Sequence, residues 1–159
     1  MATILLTTVI NAPISIVFDL SRSIDLHLQS MAHSNETAIA GRTSGLIECN
    51  ETVTWRAKHF GVYHHLTVRI TALEKYDRFI DVMEKGIFAS MEHLHSFNVQ
   101  GNTTLMNCRF EFKAPYGLLG TLAEILFLKK YMRNLLLERN RVIKRIAESD
   151  EWKKLLKQN

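Results

Sequence analysis

Residues 52–60, TVTWRAKHF, and residues 91–99, MEHLHSFNV, decide the reading of this chain. In the first, Val53, Trp55, Ala57 and His59 alternate with Thr54, Arg56 and Lys58; in the second, Met91, His93, His95, Phe97 and Val99 share one parity. Successive side chains on a strand point to opposite faces, so both segments read as strands whose apolar face carries histidines. A buried imidazole needs hydrogen-bond partners or costs free energy, and a solid core has little use for several. A sheet with a hollow, ligand-holding concave side accommodates them. The expectation is therefore a cavity.

Working outward, the two strands 52–60 and 62–73 meet at Gly61, a tight hairpin signal. In the second, Val62, His64, Leu66, Val68, Ile70 and Ala72 are expected to face one way. Further strands are predicted over 78–84, 89–100 and 103–114, the last two joined across Gly101-Asn102. The final one alternates Met106, Cys108, Phe110 and Phe112 against Asn107, Arg109 and Glu111. Upstream, Thr3 to Ile10 is β-branched and apolar, and Asn11-Ala-Pro13 supplies a cap candidate and a proline suited to a helix start. Helices over 14–20 and 23–31, the second capped by Ser23, precede a short strand over 36–40. After Pro115 the longest periodic segment runs from Leu118 to about Glu148 and spans roughly 45 Å as a helix. Leu119, Leu122, Leu126, Met132, Leu136, Ile143 and Ile146 suit one buried face of it.

The 159 residues predict one domain, 1–159, large enough to bury a core without disulfides. Cys49 and Cys108 form no CxxC pattern and read as reduced thiols, and no signal-peptide anatomy is visible, so a cytoplasmic location is expected. The net charge of +4 is unevenly placed: residues from Lys129 onward carry +6 and those before it −2. An anionic lipid surface or nucleic acid would suit such a patch. The simpler reading is a helix with its basic face, including Arg139, Arg141, Lys144 and Arg145, in water, so nucleic acid is not expected. Membrane contact through Leu126, Phe127, Lys129 and Lys130 is the less economical alternative.

The element order is itself a pattern: strand, two helices, about six or seven antiparallel strands, one long helix. It resembles the helix-grip fold of the START-like superfamily, also called SRPBCC, an α+β architecture in which a curved antiparallel sheet wraps a long C-terminal helix. Asn11-Ala-Pro13-Ile-Ser-Ile-Val17-Phe18 resembles the superfamily's first strand-to-helix passage. Ser44-Gly-Leu-Ile47, Val53-Thr-Trp55, Phe79-Ile-Asp81, Gly86-Ile-Phe88, His93-Leu-His95-Ser-Phe97 and Ala114-Pro115-Tyr-Gly117 resemble a bacterial branch of ligand-binding proteins related to polyketide cyclases and coenzyme Q-binding proteins. The resemblance implies a cavity between sheet and helix for a hydrophobic or aromatic small molecule. Fold alone does not choose among the superfamily's activities.

The inward residues expected to contact such a ligand are Trp55, His59, His64, Asp81, Met83, His93, His95, Cys108, Phe110 and Phe112. Asp81 alternates with Phe79 and Met83, although Ile80 and Val82 claim the other face equally well. His59, His64, His93 and His95 are metal-capable, yet no HExxH or finger spacing accompanies them, so neither a metal nor another cofactor is expected. No glycine-rich phosphate loop is present. Binding without covalent chemistry is the leading reading. The alternative is a cyclase or dehydratase in which one of these histidines, oriented by Asp81, acts as general acid or base.

Overall fold

The computed structural model describes residues 1–157. Gln158 and Asn159, the last two positions of the expected domain, lie outside the described residues. Seven strands form one antiparallel sheet: β1 (Ala2–Ile10), β2 (Thr37–Gly41), β3 (Thr52–His59), β4 (Val62–Glu74), β5 (Arg78–Lys85), β6 (Ser90–Gln100) and β7 (Thr103–Lys113). The order across the sheet is β1-β7-β6-β5-β4-β3-β2, so every neighbour except β1 follows its partner in sequence. The β3–β4 hairpin turns on Phe60 and Gly61, both at positive φ (51° and 79°), the backbone a two-residue turn between twisted strands requires.

Helices α1 (Ile14–Ser21) and α2 (Ile24–Ser30) follow β1. The Ser23 hydroxyl accepts from the Leu26 N–H at 3.2 Å and caps α2. Asn11 caps nothing: Pro13 precedes α1 without a side-chain cap, and the Asn11 N–H instead donates to Glu148 at 2.8 Å. Phe18 anchors α1, fully buried and edge-on to Phe97, Phe79 and Tyr76 at 5.3, 5.8 and 5.6 Å between ring centroids. Arg22 ties the α1–α2 corner to the segment before β3, bonding Asp19, the Ile47 carbonyl and Glu48.

Two local irregularities overturn expected faces. Between Ile70 and Ala72 the β4–β5 register shifts, so Ala72 pairs with Ile80 and Leu73 with Phe79. Leu73 therefore joins the core in place of Ala72, because a bulge inserts one residue and reverses the alternation beyond it. The second irregularity lies in the C-terminal helix. Helix α3 (Gly117–Ala123) passes through a π-turn (Glu124–Leu128) into α4 (Lys129–Ala147), followed by a short α5 (Trp152–Lys157).

From Met132 onward the expected face is right: Leu136, Ile143 and Ile146 are buried. Before the π-turn it is wrong, for Leu119, Leu122 and Leu126 are 76%, 52% and 68% exposed. A π-turn adds one residue, about 100° of helix rotation, and so moves the inward phase to Gly120 and Glu124. Both fit that phase for a local reason. A Cβ at Gly120 would stand 1.9 Å from the Pro115 carbonyl oxygen. The buried Glu124 carboxylate accepts from the Ala114 N–H at 2.5 Å and lies 3.2 Å from the Met1 amino group. Burial alone would raise the Glu124 pKa; these two donors outweigh it and hold the group below its usual range.

Candidate functional site

Between the concave face of the sheet, the α1–α2 corner and α4 lies a cavity of about 170 Å³. Its apolar wall includes Val53, Trp55, Phe79, Met91, Phe110 and Leu136. Asp81, His93, His95 and Arg139 gather in the same lining, with His27, Glu36 and His59 also on it. Strand alternation places the first three: Asp81 pairs with His93 across β5 and β6, and His95 follows two residues along the same face. The face left open for Asp81 is thus the inner one.

Both β6 histidines are buried, at 5% and 1% exposure. Their ring centroids are 3.8 Å apart; Phe79 stacks on His95 at 4.3 Å and Phe110 meets His93 edge-on at 5.2 Å. Asp81 Oδ1 stands 3.3 Å from His95 Nε2, and Oδ2 stands 4.0 Å from His93 Nδ1. Neither contact is a hydrogen bond, and among the described residues Oδ1 of Asp81 and Nε2 of His93 have no hydrogen-bond partner. Burial drives both imidazoles well below their ordinary pKa of 6.5, helped for His93 by its neighbour His95 and for His95 by Arg139. Burial raises Asp81, although His93 and Arg139 pull the other way. Burial thus works against the charged form of all three groups.

Arg139 is the residue that sequence reasoning misplaced. Expected on the solvated basic face, it is 7% exposed, lines the cavity and donates from Nη2 to the Ser21 carbonyl at 2.5 Å. Among the described residues its Nη1 has no hydrogen-bond partner, and burial lowers the Arg139 pKa. A signal was available. Arg139 continues the stripe 132, 136, 143, 146 at helical spacing, filling the seven-residue gap between Leu136 and Ile143. His27 was also missed; it stacks on Trp55 at 4.2 Å and its Nε2 is 3.0 Å from Glu36.

Of the ten expected residues, Trp55, His59, Asp81, His93, His95 and Phe110 come together on the cavity. Cys108 lies behind that wall, its thiol 3.6 Å from His95 Nδ1 and 3.9 Å from Asn140. Phe112 packs under Phe110 and Phe88 at 5.7 and 5.1 Å. Met83 is half-buried beside Val68 without reaching the lining, and half-buried His64 sits with its ring 6.3 Å from that of His59. His59 itself forms the rim, its Nδ1 2.8 Å from the Tyr131 hydroxyl.

The expected four-histidine group therefore divides between the β3–β4 hairpin and β6. A different trio converges: His93, His95 and Cys108 place one ligand atom each within 4.8 Å of one another. One feature weighs against a cation there: burial raises the Cys108 pKa, favouring the thiol over the thiolate a metal needs, although Arg139 and the contact with Asn140 pull the other way.

Among the described residues no helix is long and apolar enough to cross a membrane. No family model matches the sequence, and no curated protein matches it. Solved structures do. A START superfamily protein from Mycobacterium smegmatis superposes with TM-score 0.69 at 11% identity, over 92% of this chain and 97% of that one. A protein from Thermus thermophilus gives 0.71 at 16%, over 92% and 99%. The major latex-like protein 151 of Panax ginseng gives 0.67 at 14%, over 93% and 98%. The chain has the START-like helix-grip fold, an α+β architecture with a curved antiparallel sheet and a long C-terminal helix.

Proposed function

We propose that this chain binds a small, largely apolar ligand in the cavity between sheet and C-terminal helix. One observation carries the reading: a 170 Å³ space with aromatic and aliphatic walls converges on a few buried polar groups. That combination is the usual make-up of a small-molecule site. START-like folds generally bind hydrophobic ligands, which agrees with it. Trp55, Phe79 and Phe110 supply flat apolar surface; His93, His95 and Asp81 supply orientation. A cavity of roughly 150 Å³ holds benzene, so the space suits one ring with a short substituent.

The test is titration with cinnamyl alcohol, followed by Trp55 fluorescence in a Trp152→Phe background. Saturable quenching is expected, and it should vanish in Val68→Phe, which fills the cavity. Quenching that survives the filled cavity would place binding elsewhere and overturn the reading.

The alternative reading, acid–base chemistry on a ketide-like ligand, has one observation in its favour. Asp81 stands beside His95 and His93, and all three face the cavity. A His95→Gln variant separates the two readings: a catalyst loses turnover while still binding, whereas a binding protein changes only in affinity.

A further inference from the structure

Among the described residues, the three buried side-chain polar atoms without a hydrogen-bond partner are Asp81 Oδ1, His93 Nε2 and Arg139 Nη1. All three belong to residues lining this same cavity. Among the described residues Arg139 has no carboxylate within salt-bridge distance, although Asp81 and Glu36 act on it from farther away. The guanidinium is held rather than free: Nη2 is spent on the Ser21 carbonyl, which leaves the Nη1 edge for something else. A buried cation without a close counter-ion is expensive to keep, and an anionic oxygen on Nη1 would relieve that cost.

We infer that the natural ligand is a small carboxylic acid with a ring or short apolar body, its carboxylate received by Arg139. This deepens the binding reading above and rests on it. Guanidinium is the side chain suited to a carboxylate, since its planar N–H groups match the spacing of the two oxygens. The unpartnered Nε2 of His93, on the same cavity lining, can donate to a ligand oxygen when it carries the ring proton. Phe79, Phe110 and Trp55 take the apolar body. An amine in the same place would face the guanidinium and be repelled.

Three probes of one shape test the inference: trans-cinnamate, cinnamyl alcohol and cinnamylamine, titrated near neutral pH and followed by backbone amide shifts. The wild-type chain is expected to bind the acid at least about tenfold more tightly than the alcohol, and the amine most weakly. Arg139→Met should erase the preference for the acid, and Arg139→Lys should keep part of it. The wild-type order needs no variant, so misfolding of either does not blunt the test. Equal binding of acid and alcohol would overturn the inference while leaving the cavity reading intact. Binding of none of the three would overturn both. Tightest binding of the amine would make Asp81 the charged partner and reverse the assignment.

Discussion

Acid should loosen this fold through two specific rings. Burial holds the folded-state pKa of His93 and His95 well below 6.5, whereas in the unfolded chain both titrate near that value. Below about pH 6.5 the unfolded chain therefore binds protons that the folded chain refuses, so stability is fully present above that value and falls as pH drops. Between about pH 7.5 and about pH 5.5, each ring that stays neutral removes roughly 1 kcal/mol, and the pair together some 2–3 kcal/mol. A domain of this size is stable by about 5–15 kcal/mol, so the loss is large. Asp81 has the opposite sign: its raised pKa stabilises the fold toward acid and is lost as pH rises through it. Arg139 and His27 also bear on the rings, and half-buried His59 is lowered by burial too. The comparison must therefore be differential. Urea unfolding at the two pH values, for wild type, His93→Gln and His95→Gln, should show each variant losing about 1 kcal/mol less than wild type. Identical pH dependence in all three would mean that the folded rings take up protons freely, and the buried wall described here would be wrong.

Two further expectations concern the helix and the thiols. Leu119→Glu and Ile125→Glu lie on exposed surface and should shift the urea-derived stability by no more than about 0.5 kcal/mol, whereas Ile143→Ala should cost about 2–5 kcal/mol. A large cost at Leu119 would place the first turns against the sheet. In thiol titration with a chromogenic disulfide, exposed Cys49 should react at once, and Cys108, buried with its pKa raised by that burial, only on unfolding.

Strand parity carried most of the fold into view. His93, His95 and Phe110 could be assigned to the interior because β6 and β7 keep an unbroken register from Ser90–Lys113 to Gln100–Thr103. Where the backbone inserts a residue, parity fails. The bulge at Thr71 exchanged Ala72 for Leu73, and nothing in Ile70-Thr-Ala-Leu73 marks it, because each residue is compatible with either face. The π-turn is equally silent in composition. Its cause is tertiary: the Ala114 N–H and the Met1 amino group reward an inward Glu124, and the Pro115 carbonyl leaves room only for glycine at 120. Arg139 was legible in spacing but discounted by type, since arginine in a basic helix is ordinarily solvated. The gathering of Asp81, His95 and Arg139 from two strands and a helix is a matter of distances, which no single segment encodes.

The π-turn has a consequence for how the helix could change. Counting back from Leu136 at 3.6 residues per turn with regular α-helix throughout, the stripe would pass through positions near 129, 125, 122 and 118. Those positions include Ile125, Leu122 and Leu118, which instead stand 74%, 52% and 90% exposed. The chain thus carries a second apolar track over α3 and the π-turn, ending at Lys129, that is out of phase with the sheet by a single residue. Rewinding the π-turn into regular α-helix with every residue kept would turn α3 by about 100°, bring that track into line and carry Glu124 away from Ala114, whereas deleting one residue between Glu124 and Leu128 would leave Glu124 facing inward. The leucines of α3 stay in solvent because of a one-residue offset in the winding, and rewinding that single turn is the step that would enclose them.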